Sequence, residues 1–264
     1  MADQRQGWRY GRRVTDDLLL DARDHVLTIT WNAPDRLNSV TAEMLDAASE
    51  AIETAGEDIR CVLITGTGRA FGAGAGLGPD FDGGSTLDAI NRLVRAITSS
   101  PVPVIAGVNG LAAGASVSIA LAADLALARR SAYFLLAFVN IGLIPDGGAT
   151  ELVAASIGRA RAMQMAMLGQ RLPAADAVAA GLVHAVAEDE NFETELSELV
   201  KKIAHGPTAA LGLMKAAINA TTIRTIDETL DRETQAQTSL FDTFDATEGG
   251  QAFIEKRSAK FLGR

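Results

Sequence analysis

Residues 62–76 read VLITGTGRAFGAGAG, and this stretch decides the fold class. Its first part, together with Cys61, is a short apolar run typical of a strand buried on both faces of a parallel sheet. A second buried run, Val102–Gly107, is followed by a connection of small residues, Asn109–Ser116, that enters a helical pattern. Strands and helices therefore alternate, which predicts an α/β fold with parallel strand pairing.

The rest of the chain extends this pattern in both directions. Two β-like runs, Leu18–Asp21 and Val26–Trp31, precede a helix that Thr41 opens. After Pro173 nearly every segment indicates helix, with one short strand at Leu182–Val186. The late segments predicted to be helical are Phe192–Ala204, Thr208–Ala220, Ile226–Phe244 and Glu248–Ser258. We expect an α/β core over residues 1–200 and a helical region over residues 201–264, packed on the core or used for subunit contact.

Composition excludes several classes of protein. The 264 residues are 48% hydrophobic and carry a formal net charge of −9, so disorder and general nucleic-acid binding are not expected. A single cysteine, Cys61, excludes an intramolecular disulfide framework and a cysteine-based metal cage. Prolines and glycines interrupt the long uncharged run between Arg95 and Asp124, which therefore predicts a buried strand and helix rather than a membrane span. No secretory signal is recognisable, and we expect a cytoplasmic protein.

The two small-residue connections have a chemical interpretation beside the structural one. Gly72, Gly74 and Gly76 do not have the GxGxxG spacing, and no GxxxxGK[ST] pattern occurs, so neither phosphate motif is present. The first connection is either a flexible surface loop or a loop whose backbone N–H groups point into a cavity and bind an oxyanion. The second, around Gly114, is either tight helix packing or a second source of such an N–H group. Both follow buried strands, so together they would present one N–H each to a single oxygen.

A third segment, Asn140–Gly148, contains the carboxylate Asp146 directly before a helical pattern. Its position suits a helix N-cap. It also suits a base in an apolar pocket near Phe134, Phe138 and Ile144, where desolvation would raise the pKa of Asp146 above its usual value of about 3.9.

Six motifs occur in order along the chain: NAPDRLNSV (32–40), VLITGTGRAFGAGAG (62–76), PVPVIAGVNGLAAGAS (101–116), IGLIPDGGAT (141–150), GLV (181–183) and FIEKRSAKF (253–261). Together they resemble the crotonase superfamily, also called the enoyl-CoA hydratase/isomerase family. The resemblance implies a crotonase-like spiral of ββα repeats with a C-terminal helical oligomerisation region, assembled as a homotrimer or a dimer of trimers. It also implies an acyl-CoA thioester substrate, a thioester enolate intermediate and no separate cofactor or metal.

The resemblance also implies roles for individual positions. The oxyanion hole would be the backbone N–H groups of Ala73 and Ala115. Arg36 falls where the family contacts the adenine region of CoA, and Lys256 where a neighbouring subunit reaches the CoA phosphate; ordinary solvated charge is the alternative for both. The full set of positions expected to contact substrate is Arg36, Gly74, Ala75, Gly76, Leu77, Gly114, Ser118, Phe138, Phe253 and Lys256.

Departures from the family pattern bear on the mechanism. Ser118 and Phe138 occupy the positions of the two glutamates with which hydratases of the family activate water. Gly76 replaces the usual aspartate of the glycine-rich loop. Asp146 stands where some isomerases of the family have an acid, and the motifs GRARAM (158–163) and AINAT (217–221) resemble the 1,2-epoxyphenylacetyl-CoA isomerases in particular.

The sequence thus favours an isomerase in which Asp146 removes a proton and returns it to another carbon. Two alternatives stay open: a weak enoyl-CoA hydratase with Asp146 activating water, and a non-catalytic acyl-CoA binder. The three histidines lie outside the core motifs and are expected to be structural; they are His25, His184 and His205.

Overall fold

A computed structural model describes residues 12–76 and 82–264, and a seven-stranded sheet forms its centre. Numbered in chain order and given in spatial order, its strands are β1 (Arg12–Thr15), β2 (Leu18–Arg23), β3 (Val26–Trp31), β4 (Cys61–Gly66), β6 (Val104–Val108), β8 (Leu125–Arg129) and β11 (Ala185–Ala187). The first three pair antiparallel, and every pair from β3 to β11 is parallel. The predicted α/β class is confirmed.

A second sheet has four strands, in the spatial order β10 (Leu172–Pro173), β9 (Tyr133–Leu135), β7 (Leu111–Ala113) and β5 (Ala70–Gly72). Consecutive strands alternate between the sheets: β4, β6 and β8 lie in the large one, and β5, β7 and β9 lie in the small one. A helix follows each pair. The chain therefore winds as successive ββα units, the spiral that the resemblance implied.

The α-helices are α1 (Ala42–Glu53), α2 (Gly83–Ser99), α3 (Ala115–Ala122), α4 (Ala149–Leu168), α5 (Ala174–Ala180), α6 (Phe192–Ala204), α7 (Thr208–Thr222), α8 (Ile226–Phe241) and α9 (Phe244–Ile254). As predicted, α1 begins after Thr41, whose hydroxyl accepts a hydrogen bond from the Met44 amide. The predicted helix boundary at Phe244 was wrong. The Thr243 hydroxyl accepts from the Ala246 amide and caps α9, so α8 ends at Phe241 and α9 begins at Phe244, before its predicted start at Glu248.

Helix α3 occupies the middle of the molecule, and seven of its eight residues are buried. Its side chains are small or apolar all round, as a helix enclosed on every side requires. Helices α2 and α4 pack beside it. On the opposite face of the large sheet, α6 covers strand residues with an apolar stripe made of Phe192, Leu196 and Val200.

The helical C-terminal region is joined closely to the core. The boundary predicted at residue 200 falls inside α6, while α8 packs on α2 and α4 and α9 packs on the 3₁₀ helix Ala137–Ile141. Its role in oligomerisation stays a prediction. Within residues 12–76 and 82–264, no helix combines the length and the apolarity that crossing a membrane demands.

Candidate active site

A cavity of 580 Å³ opens beside the carboxyl ends of β5 and β7. The loop Ala73–Gly76, the start of α3, the 3₁₀ helix Ala137–Ile141 and side chains of α2 and α8 form its walls. Residues of both small-residue connections and Asp146 therefore line the same cavity.

Two buried asparagines fix the glycine-rich connection. Asn38 donates to the carbonyl oxygens of Thr67 (2.8 Å) and Ala70 (2.7 Å) and accepts from the Ala33 amide (2.8 Å). Asn109, at the end of β6, donates to the Ala70 oxygen as well (3.1 Å). A loop anchored in this way from two sides is a built part of the site, which removes the flexible-loop interpretation for residues 66–76.

The backbone around Ala75 directs an amide away from its neighbouring strand. Val40 pairs with Ala75, donating to the Gly74 oxygen (2.9 Å) and accepting from the Gly76 amide (3.1 Å). Because the C=O and N–H of a trans peptide point in opposite directions, the N–H of Ala75 faces away from Val40. Ala75 lines the cavity.

The second amide comes from the first residue of α3. Ala115 has no intrahelical partner for its N–H because of its place in the first turn. The described residues offer no acceptor to the amides of Ala75 or Ala115. The two loops touch: Gly74 has a φ of +85°, and a Cβ on it would lie 3.0 Å from the Ala113 oxygen and 3.3 Å from the Ala115 nitrogen. Gly74 is thus required both by its backbone conformation and by the close approach.

Asp146 is a buried carboxylate at the cavity wall, 6% exposed. Its Oδ2 accepts from Gln237 Nε2 at 3.0 Å, and its Oδ1 has no hydrogen-bond partner among the described residues. Burial raises the pKa of Asp146 to about 7; the Gln237 hydrogen bond opposes this rise, and the nearby negative charge of Glu233 adds to it. An acid with this pKa is half ionised near neutral pH and can both take and give a proton.

The N-cap interpretation of Asp146 was wrong. Helix α4 is capped by Gly148, without a side-chain hydrogen bond from its own segment. The carboxylate of Glu233, on α8, accepts from the amides of Gly148 (2.6 Å) and Thr150 (2.8 Å) instead. Because Glu233 accepts from the free amides at the start of α4, Asp146 is not needed as a helix cap, and its side chain lies at the cavity wall.

Ser118 lies elsewhere than its predicted substrate contact required. It is fully buried, does not line the cavity, and donates to the backbone oxygen of Asp146 at 2.6 Å. The short Ser118 side chain reaches only this carbonyl oxygen, to which it donates its hydrogen bond. A glutamate side chain at the same position would extend further from α3. Phe138, at the second glutamate position, does line the cavity and gives it an apolar wall.

Of the other predicted positions, most line the cavity, one does not, and one lies outside the described residues. Arg36 and Phe253 line the cavity, with Arg36 also paired to Asp17 at 2.9 Å. Lys256 is exposed and does not line the cavity of its own chain. Leu77 lies outside the described residues. The remaining predicted positions all line the cavity: Ala73, Gly74, Ala75, Gly76, Gly114 and Ala115.

Sequence reasoning missed several cavity residues. Arg69 and Phe241 line the cavity, and Gln237 contacts Asp146 directly. Arg69 had a readable signal, a basic residue inside the glycine-rich connection. Gln237 lies 91 residues from Asp146 in the chain, and no local sequence pattern predicts a contact over that separation.

The three histidines lie away from this cavity. None of the three histidines lines it, and each places Nδ1 within 2.9 Å of a backbone carbonyl oxygen. Across residues 12–76 and 82–264, no group of three or more His, Cys, Asp or Glu side chains is arranged to hold a metal ion.

Comparison with known proteins places this geometry in a family. Residues 21–264 match the enoyl-CoA hydratase/isomerase family. The chain belongs to that family. The 1,2-epoxyphenylacetyl-CoA isomerase of Escherichia coli K12 is 42% identical to it, over 90% of this chain and 95% of the relative.

Other enoyl-CoA hydratase/isomerase family members carry hydratase names. A probable enoyl-CoA hydratase of Rhodobacter capsulatus is 38% identical, over 89% of this chain and 94% of the relative. The crystal structure of an enoyl-CoA hydratase from Mycobacterium avium subsp. paratuberculosis K-10 superposes with a TM-score of 0.89 at 45% identity, covering 93% of this chain and 98% of that one. Family membership therefore fixes the fold and the general class of enzyme, and the reaction has to be argued from the site.

Proposed function

We propose that this chain is an acyl-CoA isomerase that moves a carbon–carbon double bond, with Asp146 as the acid–base residue. One observation carries the proposal: among the described residues, Asp146 is the one buried carboxylate that lines the cavity, and the backbone of Ala75 and Ala115 borders the same cavity. Asp35 is the other carboxylate that lines the cavity in the part of the chain that the structure describes, and it is exposed.

The proposed reaction balances within the substrate. In a 3-enoyl thioester, Asp146 takes a proton from C2, and the electron pair moves onto the thioester oxygen to give an enolate. Asp146 then returns the proton to C4, so that the double bond shifts to C2–C3. No oxidant, water or resident cofactor takes part, because CoA enters as part of the substrate.

The amide of Ala115 is proposed as one donor to the thioester oxygen. For the second donor, the sequence resemblance implied Ala73, and the peptide geometry favours Ala75, whose N–H faces away from Val40. Removing one such donor typically slows catalysis by the equivalent of about 2.7–4 kcal/mol. The exposed Arg36 and Arg69 at the cavity would attract the anionic CoA moiety against the net charge of −9.

Hydration is less well supported as the main reaction. Family hydratases activate water with two glutamates, whose positions are held here by Ser118 and Phe138. The Ser118 hydroxyl donates to the Asp146 backbone oxygen, and Phe138 is apolar, so neither can act as a base on water. Two other functions are distinguished from isomerisation by the experiment below: weak hydration with Asp146 alone activating water, and binding of acyl-CoA without turnover.

A second candidate is isomerisation of an epoxide-bearing aryl-acetyl thioester. The 42% identity with an isomerase named for such a substrate favours it. Aromatic side chains also border the cavity, contributed by Phe138, Phe241, Phe253 and Tyr133.

Assembly as a homotrimer or a dimer of trimers is proposed from the family resemblance. Large apolar side chains are exposed on α7 and α9, including Leu213 (74%) and Ile254 (67%), and subunit contact would cover such surface. Sedimentation equilibrium distinguishes a trimer or hexamer from a monomer, and a monomer at micromolar concentration contradicts this part of the proposal.

The test of function is Asp146→Asn. We expect this variant to bind CoA thioesters and to lose at least about 100-fold in conversion of 3-enoyl-CoA to 2-enoyl-CoA, since acid–base catalysis contributes about 10²–10⁴-fold. Ultraviolet absorbance of the conjugated product gives the rate, and crotonyl-CoA hydration and an aryl-acetyl epoxide thioester are assayed in parallel.

The matched control is Asp88→Asn, which removes an exposed carboxylate from α2 and should retain wild-type rates. Unchanged turnover in Asp146→Asn would remove Asp146 from the mechanism. Binding by calorimetry without turnover of any thioester would favour the non-catalytic binder.

A further inference from the structure

Helix α8 presents two buried polar side chains to the turn that carries Asp146. Glu233 is 3% exposed and Gln237 is 2% exposed, and they lie one helical turn apart. Buried polar groups are costly unless they have hydrogen-bond partners. Their partners here all lie between Ile144 and Thr150, so this face of α8 is matched to that one turn.

The Gln237 amide has a single orientation consistent with its contacts. Its Oε1 accepts from the Ile144 amide (3.1 Å), while its Nε2 donates to the Ile144 oxygen (3.0 Å) and to Asp146 Oδ2 (3.0 Å). Exchanging oxygen and nitrogen would set two donors against each other and the amide oxygen against two acceptors. Gln237 is therefore a fixed donor to one particular oxygen of Asp146.

This contact makes the two carboxylate oxygens of Asp146 inequivalent. Oδ2 accepts from Gln237, whereas Oδ1 is buried and has no partner within residues 12–76 and 82–264. We infer that Gln237 is a positioning residue that holds Asp146 through Oδ2 and, by donating to that oxygen, favours the ionised carboxylate that takes the proton. The inference rests on the proposed function and extends it to a residue on a distant helix.

Glu233 acts on the same carboxylate in the opposite sense. It does not contact Asp146, but its negative charge disfavours ionisation of Asp146, whereas the Gln237 N–H favours the ionised form. The Ser118 hydroxyl of α3 donates to the Asp146 backbone oxygen. Among the described residues, the other polar or charged side chains that line the cavity are Asp35, Arg36, Ser39, Arg69, Thr86, Tyr133 and Asn140.

The experiment compares Gln237→Met, which has similar size but no donor, with Glu233→Gln, which removes the charge. Asp146 is titrated in each full-length protein without substrate, by the infrared band of its protonated carboxyl group, identified as the band missing from Asp146→Asn. We expect the midpoint to rise in Gln237→Met and to fall in Glu233→Gln. A midpoint in Gln237→Met at or below the wild-type value would overturn the inference.

The pH profile of isomerisation gives the second readout. An upward shift of one unit in Gln237→Met would leave about one tenth of Asp146 ionised at pH 7 instead of about one half, so kcat would fall roughly fivefold there and recover above about pH 9. A purely structural role for Gln237 predicts an equal loss at every pH, which would contradict the inference. If the wild type does not isomerise any thioester, the proposed function fails, and the infrared titration still decides whether Gln237 controls Asp146.

Discussion

The Asp146 carboxylate is held where its charge is unfavourable. Its folded-state pKa of about 7 lies well above the value of about 3.9 expected in an unfolded chain. Between these values the folded protein keeps a proton that the unfolded chain releases, so the stability tied to this group is complete below about pH 4 and is lost as the pH rises through 7. A carboxyl group buried at the cavity wall therefore lowers the free energy of unfolding at neutral and alkaline pH.

Replacing Asp146 by Asn should stabilise the protein in a pH-dependent way. The neutral amide avoids burying a charge, so the gain should be small at pH 4 and approach about 4 kcal/mol above pH 8, at about 1.36 kcal/mol per unit of pKa shift. Urea unfolding of the variant and the wild type across this range measures the difference. A gain that is the same at every pH would contradict the predicted origin in ionisation.

Among the connecting segments, the loop after β5 depends on close backbone approach. Gly74 sits in a left-handed conformation against the Ala113 oxygen and the Ala115 amide, while its own amide donates to Ser116 Oγ at 3.1 Å. The two strand-to-helix connections are thereby joined through backbone and small side chains, leaving little room for movement of either amide.

Gly74→Ala should disturb catalysis more than folding. The added methyl group is strained at positive φ and pushes on the start of α3, so we expect roughly a 10–100-fold loss in kcat from displaced amides. Gly56→Ala is the control, because a Cβ there meets nothing within 4 Å and its backbone is not left-handed. Wild-type turnover by Gly74→Ala would show that this close approach is unnecessary.

At the scale of the whole molecule, a buried ion pair fastens the helical region to the large sheet. Lys215 of α7 is 6% exposed, and its Nζ contacts Asp124 Oδ2 (2.9 Å) and the Ile97 oxygen (2.6 Å). Asp124 also accepts from the Val104 amide at the start of β6. Burial raises the pKa of Asp124 and lowers that of Lys215, and their mutual attraction opposes both shifts.

Lys215→Met should lower the free energy of unfolding by about 3–5 kcal/mol, because it leaves a buried carboxylate without its partner. Lys202→Met, on the exposed side of α6, should have little effect. Adding Asp124→Asn to Lys215→Met should restore part of the loss, as measured by urea unfolding. No recovery in the double variant would contradict the account based on an uncompensated charge.

Local sequence patterns were sufficient for the alternating core. Val26–Trp31 and Phe192–Ala204 match their predicted bounds because burial on one or both faces dictates residue type at each position. Asp146, which we propose as the acid–base residue, was also identifiable, since it directly precedes a helical pattern in a segment with apolar residues nearby. Its surroundings were not: Gln237 and Glu233 reach it from α8, and the contact depends on tertiary packing that no short window contains.

Helix α8 follows every strand of the described sheets in the chain, and this order has a consequence during translation. A nascent chain that ends at Thr222 already contains the residues of every strand in the described sheets, together with Ala75, Ala115 and Asp146. It lacks the side chains that orient the turn Ile144–Gly148. A polypeptide that has not yet been translated through α8 therefore lacks the hydrogen bonds that would orient Asp146 for its proposed role.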